Sequence, residues 1–239
     1  MRRFFLDLEF TNGNYYLAEI IEMALVSEIS GFSFHTHVKI DNLLAPFVKK
    51  LTGITDKTLQ DIGLPFPIAF REMVKFIGNE SDDDDESPII IAHGGVLHDF
   101  PILLTNCMRH NVDYSMLERC RFIDSMERLK RHGYAKPGLQ TFRCTGDKKH
   151  CAYDDARVLE FLCRLNYRLI YEPPYLTFTD VLQHLETKMP ISITSLVRLA
   201  RDITSLTDFV CLLRNRSLRN TALNPKQIVN IANFYFKKF

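Results

Sequence analysis

Asp7 and Glu9 are the first pair of side chains that could do chemistry. They stand two residues apart in RFFLDLEF at positions 3–10, whose alternating pattern predicts a strand. Side chains two residues apart on a strand point to the same face, so both carboxylates would lie beside each other and near Phe5. Like charges crowded together are unfavourable unless a cation offsets them, and hard oxygen ligands favour Mg²⁺ or Mn²⁺. The alternative is an edge strand with one solvated face.

Asp99 is the second candidate. It follows the apolar segment Ile89–Ala92, a predicted buried strand, and it stands in the first turn of a predicted helix together with Pro101. Open α/β sheets bind ligands at the carboxyl ends of their strands, so the Asp99 carboxylate would face the first pair. The alternative is an Asp99 side chain that only caps its own helix.

His150 and Asp155 form the third candidate, within the segment HCAYDDARVL. The histidine precedes a predicted helix and the aspartate lies on it. A carboxylate next to a histidine suits metal binding with an adjacent general base. An ordinary surface histidine is the alternative for His150 alone.

Taken together, these residues resemble the DEDDh exonucleases, the family that includes polymerase proofreading subunits. The matching residues are Asp7 and Glu9 in the motif D-x-E, Ala92, His93 and Asp99 in A-H-N-x-x-x-D, and His150, Ala152, Asp155, Ala156 and Leu159 in H-x-A-x-x-D-A-x-x-L. The second motif has a longer gap here, and Gly94 replaces its Asn. The five-position step from His150 selects Asp155 rather than Asp154.

The resemblance implies a role for each of the five residues in a two-metal mechanism with Mg²⁺ or Mn²⁺. Asp7 would bridge the two ions, and Glu9 and Asp155 would complete the site on the side of the nucleophile. Asp99 would hold the second ion, and His150 would take the proton from the attacking water. The expected reaction is 3′→5′ removal of 5′-mononucleotides from DNA 3′ ends, single-stranded or frayed.

Within that family the chain looks most like the three-prime repair exonucleases, and a viral member is our hypothesis. The segments FLDLE, LTGIT and HDFPILL carry this similarity, which covers about residues 3–170. It implies substrate contacts at the LTGI segment and near the first two motifs. These residues are Phe10, Leu51, Thr52, Gly53, Ile54 and His93. Relatives also suggest a homodimer paired through the edge of the third strand, about residues 32–40.

Arg128, Lys130 and Arg131 are the candidates for contacts with DNA phosphates, because they stand in a loop-like stretch between the second and third motifs. A solvated helix face is the alternative. Three other functions remain open: a 3′ exoribonuclease of the same family, an inactive nucleic-acid-binding module, and a scaffold whose helical annex binds a protein.

The elements that must position these residues predict an α/β fold. Strands at 3–10, 18–28 and 32–40 form a meander, and helices then alternate with strands at 89–92 and 120–123. With the family resemblance, this implies a ribonuclease-H-like mixed five-stranded sheet flanked by helices. Prolines at 173 and 174 mark the predicted boundary between an exonuclease domain, residues 1–171, and a helical C-terminal extension, residues 172–239.

Composition is that of an ordinary globular protein, with 46% hydrophobic and 25% charged residues and a net charge of +1. Apolar runs are too short for a membrane span, so no membrane association is expected. The six cysteines include no CxxC pair, which argues against a structural zinc site and a disulfide framework. An intracellular, reducing location is therefore expected.

Overall fold

The computed structural model describes residues 2–15, 17–80, 87–134, 139, 150–188 and 205. Within them the strands are β1 (Arg3–Phe10), β2 (Ile20–Ser27), β3 (Ser33–Lys39), β4 (Leu64–Pro65), β5 (Ile89–Ala92), β6 (Arg121–Asp124) and β7 (Leu176–Thr177). The helices are α1 (Pro46–Thr52), α2 (Asp56–Ile62), α3 (Phe66–Asn79), α4 (Asp99–Arg109), α5 (Ser115–Glu118), α6 (Ser125–Arg131), α7 (Ala152–Leu165), α8 (Tyr167–Ile170) and α9 (Phe178–Lys188).

One mixed sheet joins all the described strands in the order β4-β3-β2-β1-β5-β6-β7. The first three strands form the predicted antiparallel meander, and β1, β5 and β6 run parallel to one another. The mixed α/β class is confirmed. The strand count was wrong, because β4 and β7, each two residues long, extend the five predicted strands to seven.

Alternation along β1 divides the interior into two layers. Phe4, Leu6 and Leu8 pack in the core formed with α3 and α4, whereas Phe5 packs in the core formed with α7. Asp7 and Glu9 share the α7 face with Phe5, as their two-residue spacing predicts. The two carboxylates therefore point toward the helix that carries the third motif.

Local signals explain the two short helices beside the sheet. Pro46 begins α1, and Gly53 ends it in a left-handed conformation with φ of 78°. The Thr55 side chain then accepts a hydrogen bond from the backbone N–H of Thr58 and caps α2. A separate buried cluster, which includes Val48 and Ile54, holds both helices against the end of the meander.

The segment at 125–131 is a helix and not the loop-like stretch expected for Arg128, Lys130 and Arg131. Asp124 lies at its N-cap, where its side chain accepts from the backbone N–H of Glu127 at 3.1 Å. A helix of seven residues that follows a strand directly carries too weak a periodic signal to be recognised.

The predicted extension begins inside the same core. Leu176 and Thr177 pair antiparallel with β6, and Val181 and Leu185 of α9 are buried. The predicted helices beyond α9 lie outside the described residues, and the domain division at 171 stays a prediction. Among the described residues, none of the helices is both long and apolar enough to cross a bilayer.

Candidate active site

A cleft of about 440 Å³ opens where the carboxyl ends of β1 and β5 meet the start of α7. All five predicted catalytic residues line it. They are Asp7, Glu9, Asp99, His150 and Asp155. Residues up to 148 positions apart in the chain thus meet in one place, which requires the sheet order described above.

Glu9, His150 and Asp155 form the tightest group in the cleft. Nδ1 of His150 lies 3.6 Å from Oδ2 of Asp155 and 3.8 Å from Oε1 of Glu9. The backbone N–H of His150 donates to the carbonyl oxygen of Leu51 at 2.9 Å, which fixes the segment before α7 against the end of α1. One ligand atom from each of the three residues lies within 4.8 Å of the other two, close enough to share a metal ion.

Asp99 reaches across to β1. It is the first residue of α4, and its Oδ1 accepts a hydrogen bond from the backbone N–H of Leu8 at 3.1 Å. His98 holds the N-cap position of this helix, without a capping hydrogen bond from its side chain. The Asp99 carboxylate thus bonds β1, a contact that a helix cap alone does not require, and its charge acts on Asp7.

Burial and mutual repulsion make the ionised form of two carboxyl groups in the cluster unfavourable. Burial raises the pKa of Asp7 well above its ordinary value, and the charges of Asp99, Asp155 and Glu9 raise it further. Burial also raises the pKa of Asp99 to about 7, although the hydrogen bond from Leu8 opposes this shift. Such a cluster is stabilised by positive charge, and its all-oxygen carboxylate donors with one adjacent histidine fit Mg²⁺ or Mn²⁺.

The predicted substrate-binding residues are only partly brought to the cleft. Phe10, Leu51 and His93 line it, and the ring of Phe10 stacks on His98 at 6.4 Å between centroids. The side chains of Thr52 and Ile54 are turned into the protein and are 7% and 5% exposed. Gly53 is exposed at the end of α1.

None of the three predicted phosphate-binding side chains lines this cleft. Arg131 pairs with Glu127 at 2.5 Å, and Arg128 donates to the carbonyl oxygen of Pro174. Lys130 borders a neighbouring cavity of about 390 Å³. A phosphate-binding role for this helix stays a prediction. Further basic residues of the sequence, Lys148, Lys149, Arg214, Arg216 and Arg219, lie outside the described residues.

Asp124 is a positioning residue that the motifs did not reveal. Its Oδ1 accepts from the backbone N–H of Gly94 at 3.0 Å, and its Oδ2 accepts from that of Val96 at 3.1 Å. These bonds hold the loop between His93 and Asp99. Gly94 adopts φ of 79° in this loop, a conformation that suits glycine and disfavours most side chains. The available signal was an aspartate at the carboxyl end of a parallel strand.

Glu22 is a second residue that sequence reasoning missed. It lies opposite Glu9 in the β1–β2 pairing, and its Oε2 accepts from the backbone N–H of Ala152 at 2.8 Å. A buried carboxylate thus caps the helix that carries Asp155. Alternation on β2 could have placed Glu22 on the α7 face, but only the register shows what it touches.

Comparison with known proteins gives the family of this chain. A family model described as exonuclease (RNase T) matches residues 4–160, a range that contains all five predicted catalytic residues. The chain belongs to this exonuclease family. No curated protein sequence gives a significant match to the exonuclease chain.

Solved structures of other exonucleases share the fold of this chain. Exonuclease I of E. coli in complex with a dT13 oligonucleotide has a TM-score of 0.56 at 16% identity, and its complex with a dA16 oligonucleotide has 0.54 at 18%. The two matches cover 69% and 70% of this chain. They cover 40% and 42% of exonuclease I, so this chain spans about two fifths of its length.

A 3′-exonuclease that recognises the histone mRNA stem-loop has a TM-score of 0.57 at 17% identity, over 70% of this chain and 81% of that one. At such identities the likeness concerns the fold alone. The predicted ribonuclease-H-like fold is confirmed, and so is membership of the exonuclease family at large. The three-prime repair branch and a viral origin stay hypotheses.

Proposed function

We propose that the protein is a 3′→5′ exodeoxyribonuclease that depends on divalent metal ions and releases 5′-mononucleotides. The observation that carries this proposal is the meeting of four carboxylates and His150 in one cleft. The raised pKa of Asp7, caused by burial and by its acidic neighbours, supports a site built to hold cations.

The chain's own residues divide into two groups around the reacting phosphate. Asp7, Glu9 and Asp155 would hold one ion, and Asp7 with Asp99 would hold the other. When bound, Mg²⁺ or Mn²⁺ would supply Lewis-acid charge for the attack of water on a phosphodiester. Asp99 is kept in position by the N–H of Leu8, and Glu22 and Asp124 secure the elements behind the cleft.

His150 would move the proton. Its Nδ1 is the ring nitrogen that faces Glu9 and Asp155, at 3.8 and 3.6 Å, so it is the atom that would take the proton of a water held beside them. The ring is 30% exposed, which would allow the proton to pass on to solvent.

DNA is the substrate we favour, and RNA is the second candidate. E. coli exonuclease I binds DNA oligonucleotides, whereas the 3′-exonuclease structure recognises an RNA stem-loop, and both share this fold. All five residues of the cleft would serve either substrate. Phe10 and Leu51, which line the cleft, are suited to pack against a terminal base of either kind.

Matched single strands of DNA and RNA, labelled at the 5′ end, test this function. With Mg²⁺ we expect a ladder of DNA products shortened one nucleotide at a time, and no products with chelator. Asp7→Ala is the inactive control, and a blocked 3′ end is the control for direction. Faster cleavage of RNA than of DNA would make RNA the substrate. Cuts within the strand would exclude an exonuclease.

Two further parts of the proposal concern assembly and role. A homodimer would pair through β3, because β4 covers only Val38 and Lys39 of that strand and, within the described residues, leaves Ser33 to His37 open. A role in DNA repair follows only from the resemblance to the three-prime repair exonucleases, and an intracellular location only from the cysteine pattern. Equilibrium sedimentation would test the dimer.

A further inference from the structure

A second group of metal-ligating side chains lies on the meander, outside the five residues of the cleft. Glu22 on β2 and His35 and His37 on β3 each offer a ligand atom, and these atoms lie within 4.8 Å of one another. The strand register explains the grouping: Glu22 pairs directly with His37, and His35 is two residues away on the same face.

Distances in this group suit a small ion with nitrogen and oxygen ligands. Oε1 of Glu22 lies 2.7 Å from Nε2 of His35 and 3.8 Å from Nε2 of His37. Around tetrahedral zinc, with bonds of ~2.0–2.1 Å, ligand atoms stand roughly 3.3–3.5 Å apart. The two observed distances lie on either side of that value, so modest rotations of the imidazoles would complete the geometry.

Access and surroundings also suit a metal. The Glu22 side chain is 3% exposed, whereas His37 is 19% and His35 35% exposed, so the site is closed at its base and open to solvent at its rim. Water on the open side, or the Sγ of Cys151, 3.8 Å from Oε1 of Glu22, would be the fourth ligand. Two imidazoles among three candidate ligands, against one in the group of Glu9, His150 and Asp155, favour Zn²⁺ over Mg²⁺ here.

We propose that Glu22, His35 and His37 form a zinc site separate from the catalytic ions. The site would tie the β2–β3 hairpin to the start of α7. Glu22 already accepts from the backbone N–H of Ala152 through Oε2 at 2.8 Å. Its Oε1, which faces His35 at 2.7 Å and the Sγ of Cys151 at 3.8 Å, is the oxygen that would bind the metal. Zinc held there would stabilise the first turn of α7, where Asp155 lies.

The alternative is that no ion binds between these three side chains. Glu22 and His35 would then form an ordinary hydrogen-bonded pair, and His37 would be a neighbour without function. Only the metal hypothesis requires both histidines to act together, and this difference decides the experiment.

Zn²⁺ binding is measured by calorimetry and by elemental analysis after dialysis with excess Mg²⁺. Because the catalytic group of Glu9, His150 and Asp155 could also take Zn²⁺, the parent protein is Asp155→Asn. We expect one Zn²⁺ per chain in the parent and affinity at least about 100-fold weaker after His35→Ala and His37→Ala are added. The control His132→Ala, another partly exposed histidine, should bind as the parent does.

Thermal unfolding gives a readout that does not depend on nuclease activity. At a Zn²⁺ concentration about 100 times Kd, the Tm of the parent should rise by roughly 5–10 °C, and that of the double-histidine variant should not. Circular dichroism without metal checks that this variant folds. If it does not, Glu22→Gln in the parent tests the same ligand set. A parent that binds no Zn²⁺, or variants that bind it equally well, would overturn the proposal.

Discussion

Replacing Asp99 with Asn should stabilise the metal-free protein at pH 8. In the folded chain the Asp99 carboxyl has a pKa of about 7, raised from 3.8 chiefly by burial. The difference is about 3 units, and each unit corresponds to about 1.4 kcal/mol between the two protonation states. The full shift therefore corresponds to about 4 kcal/mol, and relaxation of the metal-free cleft reduces the expected gain to about 2–4 kcal/mol.

The direction of the pH dependence follows from proton binding. Between pH 4 and 7 the folded protein retains the Asp99 proton while the unfolded chain has lost it. The unfolded state then binds fewer protons, so the free energy of unfolding falls as the pH rises through this window. Below pH 4 both states are protonated, and the penalty disappears. Asp7, whose pKa is raised partly by Asp99, would add to the same trend.

Urea unfolding at pH 5, 6, 7 and 8, in chelator and followed by circular dichroism, measures this effect. The original chain should lose stability across the series, whereas Asp99→Asn should vary less and be more stable at pH 8. The Asn side chain can still accept the hydrogen bond from Leu8. The exposed Asp41→Asn is the matched control and should follow the original chain.

Added Mg²⁺ should restore the stability of the original chain at pH 8 and should help Asp99→Asn less. Parallel curves for the original chain and Asp99→Asn in chelator would refute the reasoning. They would mean that the Asp99 carboxylate is solvated, or compensated by another group, in the metal-free protein.

Three other substitutions test the roles in the cleft. Asp7→Ala should abolish cleavage in the oligonucleotide assay, and its metal-free Tm should equal or exceed that of the original chain. Activity within about tenfold of the original chain would contradict the two-metal assignment. His150→Ala should lower kcat by roughly 10²–10⁴-fold with Mg²⁺ affinity little changed, and a collapse of Mg²⁺ binding would make it a ligand instead. Asp155→Asn should be inactive and Asp154→Asn active, because Asp155 is buried in the cleft and Asp154 is exposed; the reverse activities would overturn the motif alignment.

Much of the fold could be predicted because its signals are local. Alternation places Asp7 and Glu9 on the face of Phe5, and Pro46, Gly53 and Thr55 mark where α1 and α2 begin and end. The two-residue strands β4 and β7 carry no periodicity of their own, since they exist only through their pairing with β3 and β6. Their detection needs the assembled sheet.

Prolines 173 and 174 mark the predicted boundary, and residues beyond them still contribute to the sheet and the core. The chain turns there and returns to the sheet as β7, and Val181 of α9 then fills the core beside α4. Whether a segment belongs to a core depends on the partner face available to it, and this face is set by residues far away in sequence.

The predicted catalytic residues could be found from the sequence, whereas the residues that support them could not. His150 and Asp155 are five positions apart on one segment, so spacing alone could pair them. Glu22 acts through its register with β1 and through Ala152, and Asp124 acts through the loop after β5. These two roles depend on which strands are neighbours, which is why no motif contains them.

The basic helix α6 shows that charge alone cannot decide which arginine binds a phosphate. Arg128 and Arg131 were candidates for phosphate contacts because they stand between two catalytic motifs. In the fold, Pro174 and Glu127 engage their guanidinium groups. A phosphate could replace Glu127, since a surface ion pair contributes only about 0–1 kcal/mol. The contact with Pro174 instead ties α6 to the segment before β7. Arg131 is therefore the better candidate of the two for DNA, and Arg128 the better candidate for holding the C-terminal segment in place.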